Sequence, residues 1–115
     1  MASLFVIQGA DQGKRFELKP RPMALGRDKS SPILLHDHEI SRRHAEVRPV
    51  DDSFRIVDLG SANGTFVGRA GSALPEDPIP VGVKRELGPD DRVYVGAWTR
   101  LVVRAATEDE QAPAG

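Results

Sequence analysis

The sequence predicts an all-β domain: a two-sheet antiparallel β-sandwich of about ten or eleven strands with no substantial helix. Three observations carry this. Short β-rich runs recur roughly every ten residues, and Gly, Pro, Asp, Asn and Ser fill the gaps between them. Within several runs apolar and polar residues alternate, as strands with one buried face require. No window carries an apolar stripe at helical spacing for more than two turns.

Taken in order, LFVI (4–7) is closed by GADQGK, and RFELK (15–19), with Phe16 and Leu18 on one face, is closed by PRP. MALGR (23–27) runs into DKSSP, and ILLH (33–36) into DHEISR. HAEVRPV (44–50) alternates at Ala45 and Val47, and FRIVDL (54–59) at Phe54 and Ile56; DDS separates the two. TFVG (65–68) follows the turn GSANG. Residues 69–82, RAGSALPEDPIPVG, hold three prolines and little periodicity, which predicts a long surface loop. The last runs are VKREL (83–87), RVYVG (92–96) and TRLVVR (99–104), the third alternating at Leu101 and Val103. From Ala105 the chain lacks large apolar residues. The expectation is therefore a domain over 1–104 and a disordered acidic tail over 105–115, holding Thr107 outside any predicted strand.

At 115 residues, with 39% hydrophobic and 29% charged side chains, the chain is long enough for one small core. A net charge of −1 argues against a general polyanion binder, so any anion site must be local. The absence of cysteine excludes a disulfide framework and thiolate chemistry. Nothing in the sequence reads as a signal peptide or a membrane span, so a cytoplasmic, monomeric protein that binds neither membrane nor nucleic acid is expected.

Polar residues of special shape concentrate at three strand ends: Gly26-Arg27, Ser41-Arg42-Arg43-His44, and Asp58 through Phe66. Loops held by a rigid sheet are where binding groups usually sit. Each has a bland reading; Asn63-Gly64 alone is simply a turn needing positive φ. A catalytic Ser41/His44/Asp58 set is disfavoured because no nucleophile elbow surrounds Ser41, and Arg42 and Arg43 would oppose the imidazolium that general-base catalysis forms. A metal site at His36 and His38, with Asp37 between them and Glu39 next, competes with the commoner solvated pair. No catalytic residue, metal or cofactor is expected.

Order and spacing narrow the choice. Ser41 lies fourteen residues beyond Arg27, and Asp58 fourteen beyond His44. The pattern G-R, S-R-x-H, D-x-x-S-x-N-G-T plus an aromatic, closed by LGPDDRVYVG, resembles the forkhead-associated (FHA) family over nearly the whole chain. At the glycine usual before Asp91 this sequence has Asp90. The resemblance implies a two-sheet sandwich that recognises phosphothreonine in partner proteins, substrates of a Ser/Thr kinase. By the same resemblance Arg27, Ser41 and Arg42 hold the phosphate and Asn63 clamps the peptide backbone. Ser61 is a minor contact or a brace, and Gly26, His44, Asp58, Gly64 and Thr65 support the site; Arg43 reads as a solvated charge. Ala62 stands where some members carry threonine, and Gly68 where asparagine is frequent. The alternative within the same fold is a scaffold that binds an unphosphorylated partner or its own chain.

The chemistry agrees. A phosphothreonine brings about −1.5 to −2 charges and three acceptor oxygens. Guanidinium forks match that geometry better than lysine does, and a pocket with no carboxylate beside it is expected. In a plain meander the loops at 28–32 and 36–42 would sit at opposite ends. The resemblance, not the periodicity, implies that they and residues 60–65 meet at one apex.

Overall fold

A computed structural model describes residues 2–105; the expected tail from 106 onward, Thr107 included, lies outside the described residues. Ten strands form, one on each predicted run: β1 (Ser3–Gln8), β2 (Arg15–Glu17), β3 (Met23–Gly26), β4 (Ile33–Leu34), β5 (Ala45–Val50), β6 (Ser53–Asp58), β7 (Thr65–Gly68), β8 (Lys84–Leu87), β9 (Arg92–Val95) and β10 (Thr99–Arg104). They make two five-stranded sheets, ordered β2-β1-β10-β9-β7 and β4-β3-β5-β6-β8. Among the described residues there is no helix.

Alternation places the core as the pattern demands. Leu4 and Val6 of β1, Leu25 of β3, Val47 of β5, Ile56 of β6, Val93 of β9 and Leu101 of β10 are all buried between the sheets. Phe16 and Phe54 pack on that core only half-buried. Burying each large aliphatic side chain contributes about 1.5–3 kcal/mol, so the core rather than the loops sustains the fold.

One pairing breaks the antiparallel rule and decides where function can sit. β4 runs parallel to β3, with Leu25 opposite Ile33 and Gly26 opposite Leu34. Both strands therefore end at the same edge of the sandwich. β5 is antiparallel to β3, pairing Leu25 with Ala45, so it starts at that edge. β6 returns there, with Asp58 opposite Ala45. The loops 27–32, 35–44 and 59–64 are thus collected at one end by strand direction alone.

The second sheet adds its own turn to this apex. Thr65 opens β7 opposite Val95, which closes β9, so the turn 96–98 lies at the same end. Asp37 joins the sheets there. Its carboxylate accepts hydrogen bonds from the Thr99 hydroxyl at 2.8 Å and the Ala97 N–H at 3.2 Å, and from the N–H of Glu39 at 2.9 Å. Gly96 permits the approach. Its φ is +66°, and a Cβ there would lie 2.5 Å from an Asp37 carboxylate oxygen.

The proline-rich stretch 69–82 is mostly exposed, as expected, yet part of it is docked. The N–H groups of Glu76 and Ile79 donate to the carbonyls of Val67 and Thr65 at 2.8 and 2.9 Å, and Ile79 is buried. These bonds cover the free edge of β7, which would otherwise offer unpaired backbone. Asp91 holds the start of the loop by accepting from Arg69 at 2.8 Å and from the N–H of Ala70 at 2.9 Å.

Candidate functional site

The apex is built from β3 outward. Beyond Gly26 the backbone goes on pairing with the next loop: Arg27 N–H donates to the Ser41 carbonyl and Asp28 N–H to that of Arg42, both at 3.2 Å. A Cβ on Gly26 would lie 2.0 Å from the Arg42 carbonyl oxygen, so only glycine admits this approach. The Arg27 guanidinium donates through Nε to the carbonyl of Ile40. That bond fixes the stem and leaves the two terminal nitrogens for a ligand.

His44 holds two loops together. It is fully buried. The N–H of Ser41 donates to its Nδ1 at 3.0 Å, so Nδ1 carries no proton; Nε2–H donates to the Gly64 carbonyl at 2.9 Å. Burial pushes its pKa below 6.5, against the pull of the Gly64 carbonyl and of the Asp58 and Asp37 charges. The ring is therefore a neutral link between loops 35–44 and 59–64.

Asp58 braces the third loop. Its carboxylate accepts from the hydroxyls of Ser61 and Thr65, at 2.5 and 2.7 Å, and from the N–H groups of Gly60 and Ser61, both at 3.0 Å. Burial raises its pKa, but these bonds outweigh burial and hold it below 3.8. Ser61 Oγ also accepts from Gly64 N–H at 3.0 Å, so its hydroxyl hydrogen and a lone pair are spent inside the loop. Ser61 is a brace. Gly64, at φ +86°, supplies the left-handed turn.

Ser41 differs. Its Oγ accepts the N–H of Ala62 at 3.0 Å, and among the described residues no acceptor takes its hydroxyl hydrogen. A half-buried donor thus remains on a residue whose carbonyl accepts from Arg27 N–H and which precedes Arg42 in the chain, both arginines being exposed. Arg43 is exposed too, as expected of a solvated charge. A cleft of about 220 Å³ opens next to Arg27, lined by Leu35, His36, Asp37 and His38. A larger cavity of about 450 Å³ lies at the opposite end, among Pro20, Pro49, Phe54, Leu87 and Pro89. Its charged lining residues, Asp51, Asp52 and Glu86, are all carboxylates that would repel an anion, so chemistry favours the apex over size.

Asn63 is placed at the apex as expected, but its donors are not idle. Nδ2 donates to the backbone carbonyl of Glu39 at 2.8 Å and to its carboxylate at 2.9 Å. The expectation of a pocket without a nearby carboxylate is corrected here. Glu39 stands beside Asn63, and Asp28, its carboxylate bonded by the N–H and hydroxyl of Ser30, lies within the field of Arg42 and Arg43. Loop residues of opposite charge meet here because the fold, not the sequence order, brings them together.

The rival arrangements do not assemble. The Ser41 hydroxyl does not bond the imidazole, and Asp58 spends its oxygens on loop 59–65 rather than on His44. His36 turns to Asp11, with Nδ1 2.8 Å from the carboxylate, and Asp37 serves the inter-sheet clamp. Among the described residues no group of three or more His, Asp or Glu side chains is placed to hold a metal. Sequence reasoning missed Asp11 and did not foresee the partners of Glu39 and Asp91. Each of the three acids bonds a residue more than twenty positions away, and only the fold supplies that partner.

Residues 5–104 match the family model described as "Inner membrane component of T3SS, cytoplasmic domain", an FHA-like domain. The solved FHA domain of an Arabidopsis thaliana protein superposes with a TM-score of 0.78, at 25% identity, covering 90% of this chain and 83% of that one. The chain belongs to the forkhead-associated family. A second FHA structure, from work on phosphothreonine-dependent FHA interactions, gives a TM-score of 0.73 at 26% identity over 90% of this chain and 95% of that one. Among curated relatives, the glycogen accumulation regulator GarA of Mycobacterium tuberculosis is 40% identical over 101 residues, 88% of this chain and 56% of its own length. The oxoglutarate dehydrogenase inhibitor of Corynebacterium jeikeium is 47% identical over 68 residues, 59% of this chain and 47% of its own. The chain thus spans about half the length of such relatives. Within the FHA frame the departures have local answers. A Cβ on Gly68 would meet the Tyr94 ring at 2.9 Å, so the aromatic occupies the space a side chain at position 68 would need. Asp90, at φ +66°, holds the left-handed conformation its glycine counterpart would adopt freely.

Proposed function

We propose that this FHA domain is a phosphothreonine-dependent interaction module whose apical loops bind a phosphorylated segment of a partner protein, a substrate of a Ser/Thr kinase. The observation that carries the reading is the uncommitted Ser41 hydroxyl hydrogen at the same apex as the free terminal nitrogens of Arg27 and the exposed Arg42. In this reading the two guanidiniums and Ser41 take the phosphate oxygens, and Asn63 accepts a backbone N–H of the peptide through Oδ1, its Nδ2 being engaged. Charge-assisted bonds of this kind contribute about 1.5–3 kcal/mol each, so most of the affinity rests on the phosphate. That asymmetry makes the domain a switch. Regulation by binding rather than catalysis suits relatives named as a regulator and an enzyme inhibitor, and we place the domain in the cytoplasm on the same grounds. The test is a titration with a phosphothreonine peptide beside its unphosphorylated and phosphoserine twins. Binding of the phosphothreonine form alone is expected; equal affinity for the unphosphorylated twin would favour the scaffold reading instead.

A further inference from the structure

The apex carries both signs of charge. Arg27, Arg42 and Arg43 are its exposed cations. The Glu39 carboxylate is held against Asn63 and, among the described residues, faces no cation within ion-pair distance. Glu39 is not a wandering surface acid. Its N–H donates to Asp37 at 2.9 Å, and Asp37 is itself tied to Thr99 across the sandwich. Its carbonyl and carboxylate both accept from Asn63 Nδ2. The amide orientation follows from chemistry: turned over, Oδ1 would face two acceptors. The other acid of the apex, Asp28, spends a carboxylate oxygen on the N–H and hydroxyl of Ser30 in its own loop. Glu39 instead reaches across to the loop that carries Asn63.

We infer that Glu39 determines charge specificity: this domain selects phosphothreonine peptides carrying a lysine or arginine within about two residues of the phosphothreonine, and disfavours acidic ones. The inference rests on the phosphothreonine reading of the site. A peptide whose phosphate lies on the arginines and whose backbone lies on Asn63 passes within a few ångströms of the Glu39 carboxylate. A cationic side chain there gains a partner; an acidic one or a second phosphate meets a fixed negative charge. Glu39 is exposed, so the effect is that of a surface pair, about two- to fivefold in affinity at low salt and shrinking as salt rises. It adds discrimination to affinity that the phosphate supplies.

The experiment is fluorescence anisotropy at low and at physiological salt with three phosphothreonine peptides, identical except for lysine, alanine or glutamate on both sides of the phosphothreonine. Each is titrated into wild type, Glu39→Gln and Glu39→Lys, with unphosphorylated twins alongside. Wild type is expected to rank lysine above alanine above glutamate. Glu39→Gln keeps an acceptor for Asn63 and should flatten the ranking; Glu39→Lys should reverse it. A ranking unchanged in Glu39→Lys, or no ranking in wild type despite phosphate-dependent binding, overturns the role of Glu39 and leaves the proposed function standing. Loss of phosphate dependence in wild type would overturn both.

Discussion

The backbone N–H of Ser41 donates to Nδ1 of His44 at 3.0 Å, three residues along the same loop, while Nε2 of that ring donates to Gly64 in another. One neutral imidazole thus holds Ser41, whose hydroxyl hydrogen is uncommitted, and ties it to the loop that carries Asn63. Protonating Nδ1 would turn an acceptor into a donor facing Ser41 N–H.

Acid should therefore undo the apex in two stages. The folded pKa of His44 is below 6.5 because burial disfavours the imidazolium, so the unfolded chain takes up its proton first. The contribution of His44 to stability is full above pH 6.5 and declines as pH falls below it. Asp58 and Asp37, both held below 3.8, withdraw theirs as pH falls through that value. Melting temperatures measured across pH should be level between about pH 7 and 8 and fall below 6.5. His44→Gln should remove the first decline and keep the second; a fall just below pH 6.5 that survives His44→Gln would refute this role.

Arg27→Ala should weaken phosphopeptide binding about tenfold or more while moving stability by under about 1 kcal/mol, since the side chain is exposed. Arg27→Lys should restore little, because a point charge cannot reproduce the fork. Ser41→Ala should cost less affinity than Arg27→Ala, having removed a neutral donor. Calorimetric titration with parallel thermal melts checks all three; wild-type affinity in Arg27→Ala would remove that residue from the site.

Gly26→Ala should damage fold and binding together. The added methyl would meet the Arg42 carbonyl at 2.0 Å and that of Ser41 at 2.9 Å, and backbone cannot swing aside as a side chain can. A loss of about 2–3 kcal/mol in denaturant unfolding is expected, with weaker phosphopeptide binding from whatever folds. A stable variant with full affinity would show that the end of β3 and the loop 35–44 can part without cost.

Asp90→Gly should do the reverse. Asp90 sits at φ +66° in the turn before Asp91, a conformation that penalises a side chain. Glycine there should raise stability by up to about 1 kcal/mol, read as a shift of the urea midpoint at unchanged slope. A lowered midpoint would mean that the Asp90 side chain supports the turn.

The ten strands were legible in the sequence because alternation is a local property. Val47 and Ile56 must share a face with their neighbours at i±2, whatever lies across the sheet. The site residues were legible as a motif: Arg27, Ser41, Arg42 and Asn63 do reach one apex. What made them converge was not local. The parallel pairing of Leu25 with Ile33 turns the direction of every following loop, and no periodicity encodes strand direction. Glu39 meets Asn63 twenty-four residues away, and Asp37 meets Thr99 sixty-two away. Hydrogen bonds of that span depend on which ends of which strands share an edge, so Glu39 finds Asn63 only once β3 to β6 have paired, and Asp37 finds Thr99 only once the two sheets have closed on each other.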